Sequence, residues 1–256
     1  MPKTAPSKQP STAPRPVPPD AVRVWRGFRL DTLTSSEFLT ALGTIFIPVT
    51  VQLQRLYYLT AYLPTVLPTS KPTGVPDEIA LVFYDKQQSY TDTSKIVAGR
   101  AYSSLHKTVF AFPASLSGFP VLLGSAVSLD QPYFLFQNAV DWQQGFTQVF
   151  VGVRPESVSV SDFVAELTAF LQKEQKQPAT GLDGAIACVS SQYVVYWEHW
   201  QTAAQSLQGS ISDLQQLATS VLLQHHTRQS VNPSLTDHYE GLSNVEGKSY
   251  NTTWKE

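Results

Sequence analysis

The sequence predicts an α+β protein in which one βαββαβ unit occurs twice. The chain has 256 residues, of which 42% are hydrophobic and 15% charged, so it contains enough apolar side chains for a complete core. The segment Gly27–Leu42 (GFRLDTLTSSEFLTAL) aligns without a gap with Gly152–Leu167 (GVRPESVSVSDFVAEL), 125 residues later. Similar strand and helix patterns surround both segments. We therefore predict one unit in residues 21–145 and a second in residues 146–256.

The first unit begins with alternating residues rich in Val, Trp and Phe, which indicate a strand. Ser35 or Ser36 then supplies a helix cap, and Pro48 predicts a bend in that helix. After a turn rich in Pro and Gly, an apolar run followed by Asp85 predicts a strand and a capped long helix. The predicted elements are strands Val22–Leu30, Leu59–Leu67, Glu78–Tyr84 and Pro132–Val140, and helices from Glu37 toward Tyr57 and from Lys86 to about Phe110.

The second unit repeats this order. The short link Ser190–Gln192 predicts a hairpin between two apolar strands. Apolar residues at helical spacing between Ala204 and Leu222 predict one long helix. The predicted elements are strands Gln148–Val153, Gly184–Val189 and Tyr193–Trp197, helices from Ser159 or Ser161 to about Gln175 and from Glu198 or Thr202 to about Thr227, and closing strands His238–Ser243 and Lys248–Thr252.

Each predicted unit is of the ferredoxin-like type, an antiparallel sheet with helices on one face only. The other face of such a sheet needs a cover. Two units in one chain can cover each other. We therefore expect two tandem ferredoxin-like repeats, packed sheet to sheet as an intrachain α+β barrel.

This arrangement resembles the dimeric α+β barrel superfamily in a tandem, fused form. Residues 78–106, EIALVFYDKQQSYTDTSKIVAGRAYSSLH, are similar to the second strand–helix crossover of its antibiotic-biosynthesis-monooxygenase-like members. The resemblance implies binding of a small apolar or aromatic molecule between sheet and helices, with cofactor-independent oxygenase or isomerase activity. Because the superfamily includes proteins without known activity, a non-catalytic scaffold or partner-binding protein is the alternative.

A histidine and three tyrosines are grouped on and before the first long helix. His106 follows Tyr102 by one turn, and Tyr84 and Tyr90 precede them. This grouping predicts a pocket in which His106 acts as a catalytic base and the tyrosines bind the ligand. The alternative is that His106 packs at the edge of the core.

Two arginines match across the repeat and are candidate ligand-binding residues. Arg29 and Arg154 each lie two residues after a matching glycine. As a pseudo-symmetric pair, they are suited to hold a carboxylate or another anion. In the alternative interpretation, which we favour, each pairs with its neighbour across the turn, Asp31 or Glu156.

Two further candidates lie in the second unit. Trp197, in the aromatic run Tyr193–Trp200, forms a ligand wall, a protein interface or part of the core. His225 continues the apolar stripe of the second long helix, where haem-binding tandem relatives carry their iron ligand. The alternative is a helix C-terminus that favours a charged imidazole. The GxxDG pattern of dye peroxidases fails at Thr180–Gly184, which begins with threonine, so we expect no cofactor and keep haem as an alternative.

Composition excludes several other functions. A net charge of −2 does not attract nucleic acid or an anionic membrane, and Phe38–Val51, the longest apolar run, is too short to cross a bilayer. With Cys188 as the only cysteine, a multi-thiolate metal site is excluded, and we expect no metal.

The first 20 residues include seven prolines and no apolar signal core. They predict a disordered Pro-rich tail (1–20), and a cytoplasmic location. Pro16 and Pro19 have the spacing of a proline-recognition ligand, so this tail is a candidate site for a protein partner.

Overall fold

The protein is a mixed α+β structure with two β-sheets. The computed structural model describes residues 16–53, 59–203, 211–227 and 241–252. The strands are β1 (Val22–Gly27), β2 (Leu59–Val66), β3 (Glu78–Tyr84), β4 (Leu116–Gly118), β5 (Val121–Leu122), β6 (Pro132–Phe134), β7 (Phe146–Val153), β8 (Leu182–Val189), β9 (Tyr193–Trp200) and β10 (Thr219–Thr227). The helices are α1 (Ser35–Ala41), α2 (Ile47–Leu53), α3 (Gln87–Lys95), α4 (Val97–His106), α5 (Val160–Lys176) and α6 (Ile211–Leu217), with a π-helical turn, Leu42–Phe46, between α1 and α2.

The two sheets have related strand orders. The first sheet has the order β2-β3-β1-β4, and all its neighbouring strands are antiparallel. The second sheet has the order β10-β7-β9-β8-β6-β5. Strands β10, β7, β9 and β8 thus occupy the same relative positions as β4, β1, β3 and β2. The short strands β6 and β5 extend the second sheet at one edge.

The sequence repeat corresponds to two matching helix starts. Thr34 caps α1, because its side-chain oxygen accepts from the Glu37 N–H at 3.2 Å and its own N–H donates to the Glu37 carboxylate at 2.8 Å. Ser159 caps α5 at the matching position, because its side-chain oxygen accepts from the Asp162 N–H at 3.1 Å. The expected cap at Ser35 or Ser36 is wrong, because the hydroxyl of the preceding Thr34 completes this capping box.

The two sheets share one apolar core. Alternate residues of each strand point to opposite faces of a sheet. Residues such as Val24, Leu81 and Phe83 of the first sheet therefore join Val149 and Val195 of the second in a single buried cluster. Helices α1, α2 and α4 cover the other face of the first sheet, and α5 and α6 cover the corresponding face of the second.

The first closing strand differs from the prediction. Strand β4, rather than Pro132–Val140, pairs with β1, in the register Trp25 opposite Ser117. Residues 132–134 form β6 and pair with β8 of the second sheet. The apolar run at 132 indicates a strand correctly but does not specify which sheet it joins.

The predicted second long helix is wrong at both ends. Strand β9 continues to Trp200 and β10 occupies the end of the predicted helix, whereas Ile211–Leu217 (α6) is helical as predicted and residues 204–210 lie outside the described residues. Leu222 packs between the sheets while Leu223 faces the helices, so burial alternates with the period of a strand. This segment is a strand because it pairs with β7. A local window of sequence cannot predict such a long-range contact.

The first long helix is divided at Ile96. That residue has an extended backbone, with φ −87° and ψ 157°, and separates α3 from α4. Gly99 permits the close approach of the two helices, because a Cβ atom there would lie 1.9 Å from the main-chain oxygen of Thr93.

The first and last described segments of the chain pack onto the body of the fold. Val17 is buried and exchanges two main-chain hydrogen bonds with Val140, at 2.8 and 3.1 Å, so the predicted disordered tail does not extend to residue 20. Near the other end, Thr252 bridges Tyr62 of β2. Residues 1–15 and 238–240, parts of the predicted tail and of a predicted closing strand, lie outside the described residues. No described helix is long and apolar enough to cross a membrane.

Candidate functional site

A cavity of about 310 Å³ lies between the helix-covered face of the first sheet and helices α2 to α4. Its floor includes Arg23 and Trp25 of β1, Tyr62 of β2, and Val82 and Tyr84 of β3. These residues share one face because positions two apart in a strand point the same way, and because Val82 lies opposite both Arg23 and Tyr62.

The helices supply the opposite wall. Tyr90 of α3, and Tyr102 and His106 of α4, line the cavity, together with Phe46 and Thr50. Tyr102 and His106 are four residues apart, so they share one face of α4. The structure thus brings together all four residues of the predicted histidine–tyrosine group, since Tyr84 lies in the floor.

His106 has a defined tautomer. Its Nδ1 lies 3.0 Å from the main-chain oxygen of Tyr102, which can only accept a hydrogen bond. Nδ1 therefore carries the hydrogen and Nε2 carries the lone pair. The rings of Phe46 and Trp25 pack edge-on to the imidazole, with centroids at 4.7 and 5.3 Å. Burial lowers the pKa of His106 to about 4, so the ring is neutral at physiological pH.

Two tyrosines that line the cavity, Tyr84 and Tyr102, are neutral phenols. Burial raises the pKa values of Tyr84 and Tyr102 well above the ordinary tyrosine value. The Thr50 hydroxyl donates to the main-chain oxygen of Phe46 at 2.8 Å, so the Tyr102 hydroxyl donates to Thr50 Oγ1 at 2.5 Å. This bond fixes Tyr102. Tyr84 packs edge-on against Tyr90, with centroids 5.7 Å apart.

Glu78 is a buried carboxyl group beside the cavity that sequence reasoning missed. It accepts hydrogen bonds from two residues of the cavity floor, the Trp25 indole N–H at 2.9 Å and the Tyr62 hydroxyl at 2.7 Å. Burial raises the pKa of Glu78 to about 7. The sequence contained one indication that Glu78 belongs to this site. Strand alternation places Glu78 on the same face of β3 as Tyr84.

Arg23 is the second residue that sequence reasoning missed. It is half-buried, and its Nε donates to the Ser117 hydroxyl at 2.5 Å. The guanidinium carbon lies 3.7 Å from the centre of the Tyr90 ring, a cation–π contact. Arg23 therefore places a positive charge in the wall of a cavity that is rich in aromatic side chains, and Lys107 is a second cation in the lining.

The paired arginines lie elsewhere. Arg29 and Arg154 are not among the residues lining the cavity. Each donates to the main-chain oxygen four residues later, Leu33 for Arg29 and Val158 for Arg154, and so holds the loop before α1 or α5. Neither takes part in the ion pairs found among the described residues, so the favoured pairing with Asp31 or Glu156 is wrong. The guanidinium groups donate hydrogen bonds to main-chain oxygens of the loops instead.

Trp197 and His225 also lie away from the cavity lining. Trp197 is fully buried in the core between the sheets. His225 is exposed on β10, an edge strand, and stacks on Phe146 with centroids 5.9 Å apart. The expected position inside a helix is therefore wrong, and this residue does not fit an enclosed haem ligand.

The described residues contain no group of three or more His, Cys, Asp or Glu side chains suited to hold a metal ion. Cys188 is buried, and burial raises the pKa of its thiol to about 12, so it is not a nucleophile at neutral pH.

No protein-family model matches the chain, and no curated protein matches it. Several solved structures match most of the chain, at TM-scores below 0.5. They include candidate monooxygenases from Lactobacillus acidophilus (4% identity, 80% of this chain, 90% of that chain, TM-score 0.33) and Fusobacterium nucleatum (8%, 80%, 88%, 0.33). Another is an anthrone oxidase-like protein (8% identity, 80% of this chain, 87% of that chain, TM-score 0.32).

Proposed function

We propose that this protein binds a small, flat aromatic molecule in the cavity between the first sheet and helices α2 to α4. The observation that carries the proposal is the lining, in which aromatic rings surround a neutral imidazole and neutral phenols. Such a combination of apolar walls with a few polar groups is typical of small-molecule sites.

The two sheets and their helices form the architecture in which the site lies. We propose that the chain consists of two tandem ferredoxin-like units, packed sheet to sheet as an intrachain α+β barrel. The related strand orders of the two sheets and their shared core support this arrangement. It also explains why the cavity lies on the outer side of the first sheet, since the inner side is filled by contact with the second.

The cavity volume suggests the size of the ligand. An apolar cavity of about 150 Å³ is large enough to hold benzene. The present cavity, at about 310 Å³, is roughly twice that size and suits two fused aromatic rings. Nε2 of His106 can accept a hydrogen bond from a ligand hydroxyl.

Filling the cavity tests this binding function. Val82→Phe adds a ring on the cavity floor, and Val121→Phe, at an exposed site, is the matched control. By calorimetric titration with 2-naphthol, we expect the Val82 variant to bind at least tenfold more weakly and the control to bind like the wild type. Circular dichroism checks that both variants are folded. Equal affinity in all three proteins, or no binding by the wild type, would reject the proposal.

A second candidate function is proton transfer by His106. We propose that Nε2 removes a proton from the bound ligand, as the first step of an isomerisation or of an oxygenation that uses O₂. In an isomerisation, the same proton returns to another carbon and no co-reactant is needed. The fixed tautomer favours this role because it keeps the lone pair on one nitrogen. The low pKa of His106 makes it a weak base.

Hydrogen–deuterium exchange tests this second candidate without knowledge of the natural substrate. The probe is 2-tetralone, a two-ring ketone whose acidic C–H bonds exchange in D₂O, and exchange is followed by NMR. We expect the wild type to accelerate exchange and His106→Ala to lose the acceleration by about 100-fold. The control His225→Ala changes an exposed histidine and should exchange like the wild type. An unchanged rate in His106→Ala would remove the catalytic assignment.

A further inference from the structure

We infer that the ligand of this cavity carries a carboxylate group, which Arg23 binds through both of its terminal amino groups. The inference rests on the proposed binding function and adds the chemical class of the ligand, an aromatic carboxylic acid. The observations that carry it are the position of Arg23, the absence of acidic groups around it, and the way its side chain is held.

Arg23 lies where a ligand in the cavity can reach it. It is the second residue of β1, lies opposite Val82, and shares the cavity lining with Tyr84 and Tyr90. Burial lowers its pKa from the ordinary arginine value, but a guanidinium group keeps its proton at neutral pH. The site therefore contains a partly desolvated positive charge.

The described part of the chain provides no carboxylate for this charge. Its ion pairs, all within 4.0 Å, do not include Arg23, and the cavity lining contains no Asp or Glu. Arg26 of the same strand is different, because it pairs with Asp130 at 3.1 Å. A partly buried charge without a counter-ion is costly, and an anionic ligand would relieve that cost.

Three side chains hold the guanidinium in place before a ligand arrives. The Nε donor is used by Ser117 at 2.5 Å, the ring of Tyr90 supports one face of the group at 3.7 Å, and the centre of the Phe119 ring lies 5.6 Å from the guanidinium carbon. None of these contacts supplies a negative charge. The planar pair of terminal amino groups matches the two oxygens of a carboxylate. A preorganised guanidinium loses little entropy when it forms this pair.

The neighbouring aromatic residues define the rest of the ligand. Tyr90 contacts Arg23, and Tyr84, His106 and Trp25 line the same cavity. A flat ring attached to the carboxylate can therefore pack against aromatic side chains while its charge pairs with Arg23. Glu78, beneath Trp25, has a pKa raised to about 7 by burial, so it is mostly neutral in slightly acidic solution and does not repel the anion there.

Two probes of the same shape test the inference. 2-Naphthoate is anionic at pH 6.5, and 2-naphthamide is neutral. By calorimetric titration, we expect the wild type to bind 2-naphthoate at least tenfold more tightly than the amide, because hydrogen bonds between two charged groups are stronger than those to a neutral amide. In Arg23→Gln this preference should disappear while the amide still binds.

Arg100→Gln is the matched control, because it removes an exposed arginine outside the cavity lining and should keep the preference. Arg23→Lys keeps the charge without the planar pair of donors and should keep only part of the preference. Equal affinity of the wild type for both probes, or a tenfold preference that persists in Arg23→Gln, would overturn the inference of a carboxylate ligand. Neither result would overturn the proposed binding function. Failure of both probes to bind the wild type would overturn the binding function as well.

Discussion

The Nδ1–H of His106 donates to the main-chain oxygen of Tyr102 at 3.0 Å, one turn earlier in α4. This bond joins two residues of the cavity wall and determines which imidazole nitrogen is available. Because Tyr102 is itself held by Thr50 of α2, the imidazole is oriented by two helices. A ligand in the cavity therefore meets a polar group whose position does not depend on the ligand.

The first prediction concerns the protonation of His106. Burial disfavours the charged imidazole, so we expect His106 to titrate near pH 4 and to show the Nδ1–H tautomer at pH 7. Since the unfolded chain binds this proton more readily, His106 lowers stability as the pH falls from about 6.5 to 4. Heteronuclear NMR of the histidine rings measures both properties. A His106 midpoint at or above 6.5 would contradict the described environment.

The second prediction concerns Glu78, whose pKa is raised from 4.5 to about 7. The folded protein binds this proton more tightly than the unfolded chain, so the contribution of Glu78 to stability is greatest below pH 4.5 and is lost as the pH rises to about 7. The loss is on the order of 3 kcal/mol. Glu78→Gln stays neutral and can still accept from Trp25, so we expect it to abolish this loss.

Urea unfolding of the wild type and Glu78→Gln between pH 4.5 and 8 measures the effect as a difference between the two proteins. This difference is needed because His106 acts in the opposite direction between pH 4.5 and 6.5. Glu156→Gln removes an exposed carboxylate and serves as the control. If Glu78→Gln follows the wild type at every pH, the carboxyl group is not buried as described.

The third prediction separates the paired arginines from ligand binding. Arg29→Met and Arg154→Met each lose a charged donor to a loop carbonyl, so we expect each to lower the free energy of unfolding by about 1 kcal/mol. Affinity for 2-naphthol should not change. Urea unfolding and calorimetry measure the two properties, with Lys176→Met as an exposed control. Loss of binding at unchanged stability would assign these arginines to a ligand site instead.

The fourth prediction concerns the contact between α3 and α4. Gly99→Ala places a methyl group 1.9 Å from the main-chain oxygen of Thr93, so one of the two helices must move. We expect a loss of about 1–3 kcal/mol in unfolding free energy, and weaker binding of 2-naphthol, since Gly99 also lines the cavity. The neighbouring exposed variant Ala98→Ser should unfold like the wild type within about 0.5 kcal/mol. Equal stability of both variants would show that the helices do not approach so closely.

Local sequence patterns predicted those elements whose signals are themselves local. Strand β3 has the predicted ends, and the hairpin of β8 and β9 uses the predicted link. Strand β10 was missed because its apolar residues also fit a helical period, and its conformation depends on pairing with β7, a distant segment. Local propensity cannot report such a contact.

In the site, too, residues with local sequence signals were predicted and residues that depend on long-range contacts were not. Tyr102 and His106 were identified together because four residues make one helical turn. Arg23 and Glu78 were missed because their roles depend on partners far away in the chain, Ser117 at a separation of 94 residues and Trp25 at 53. Strand alternation places Glu78 on the same face as Tyr84, but sequence spacing does not identify those distant partners.

The most direct test of the binding site is a crystal structure of the protein grown with 2-naphthol. We expect electron density for the two rings between the first sheet and α4, in contact with Tyr84 and with the ligand hydroxyl near Nε2 of His106. Density for 2-naphthol only at another surface, or a cavity filled by its own side chains, would contradict the proposed function.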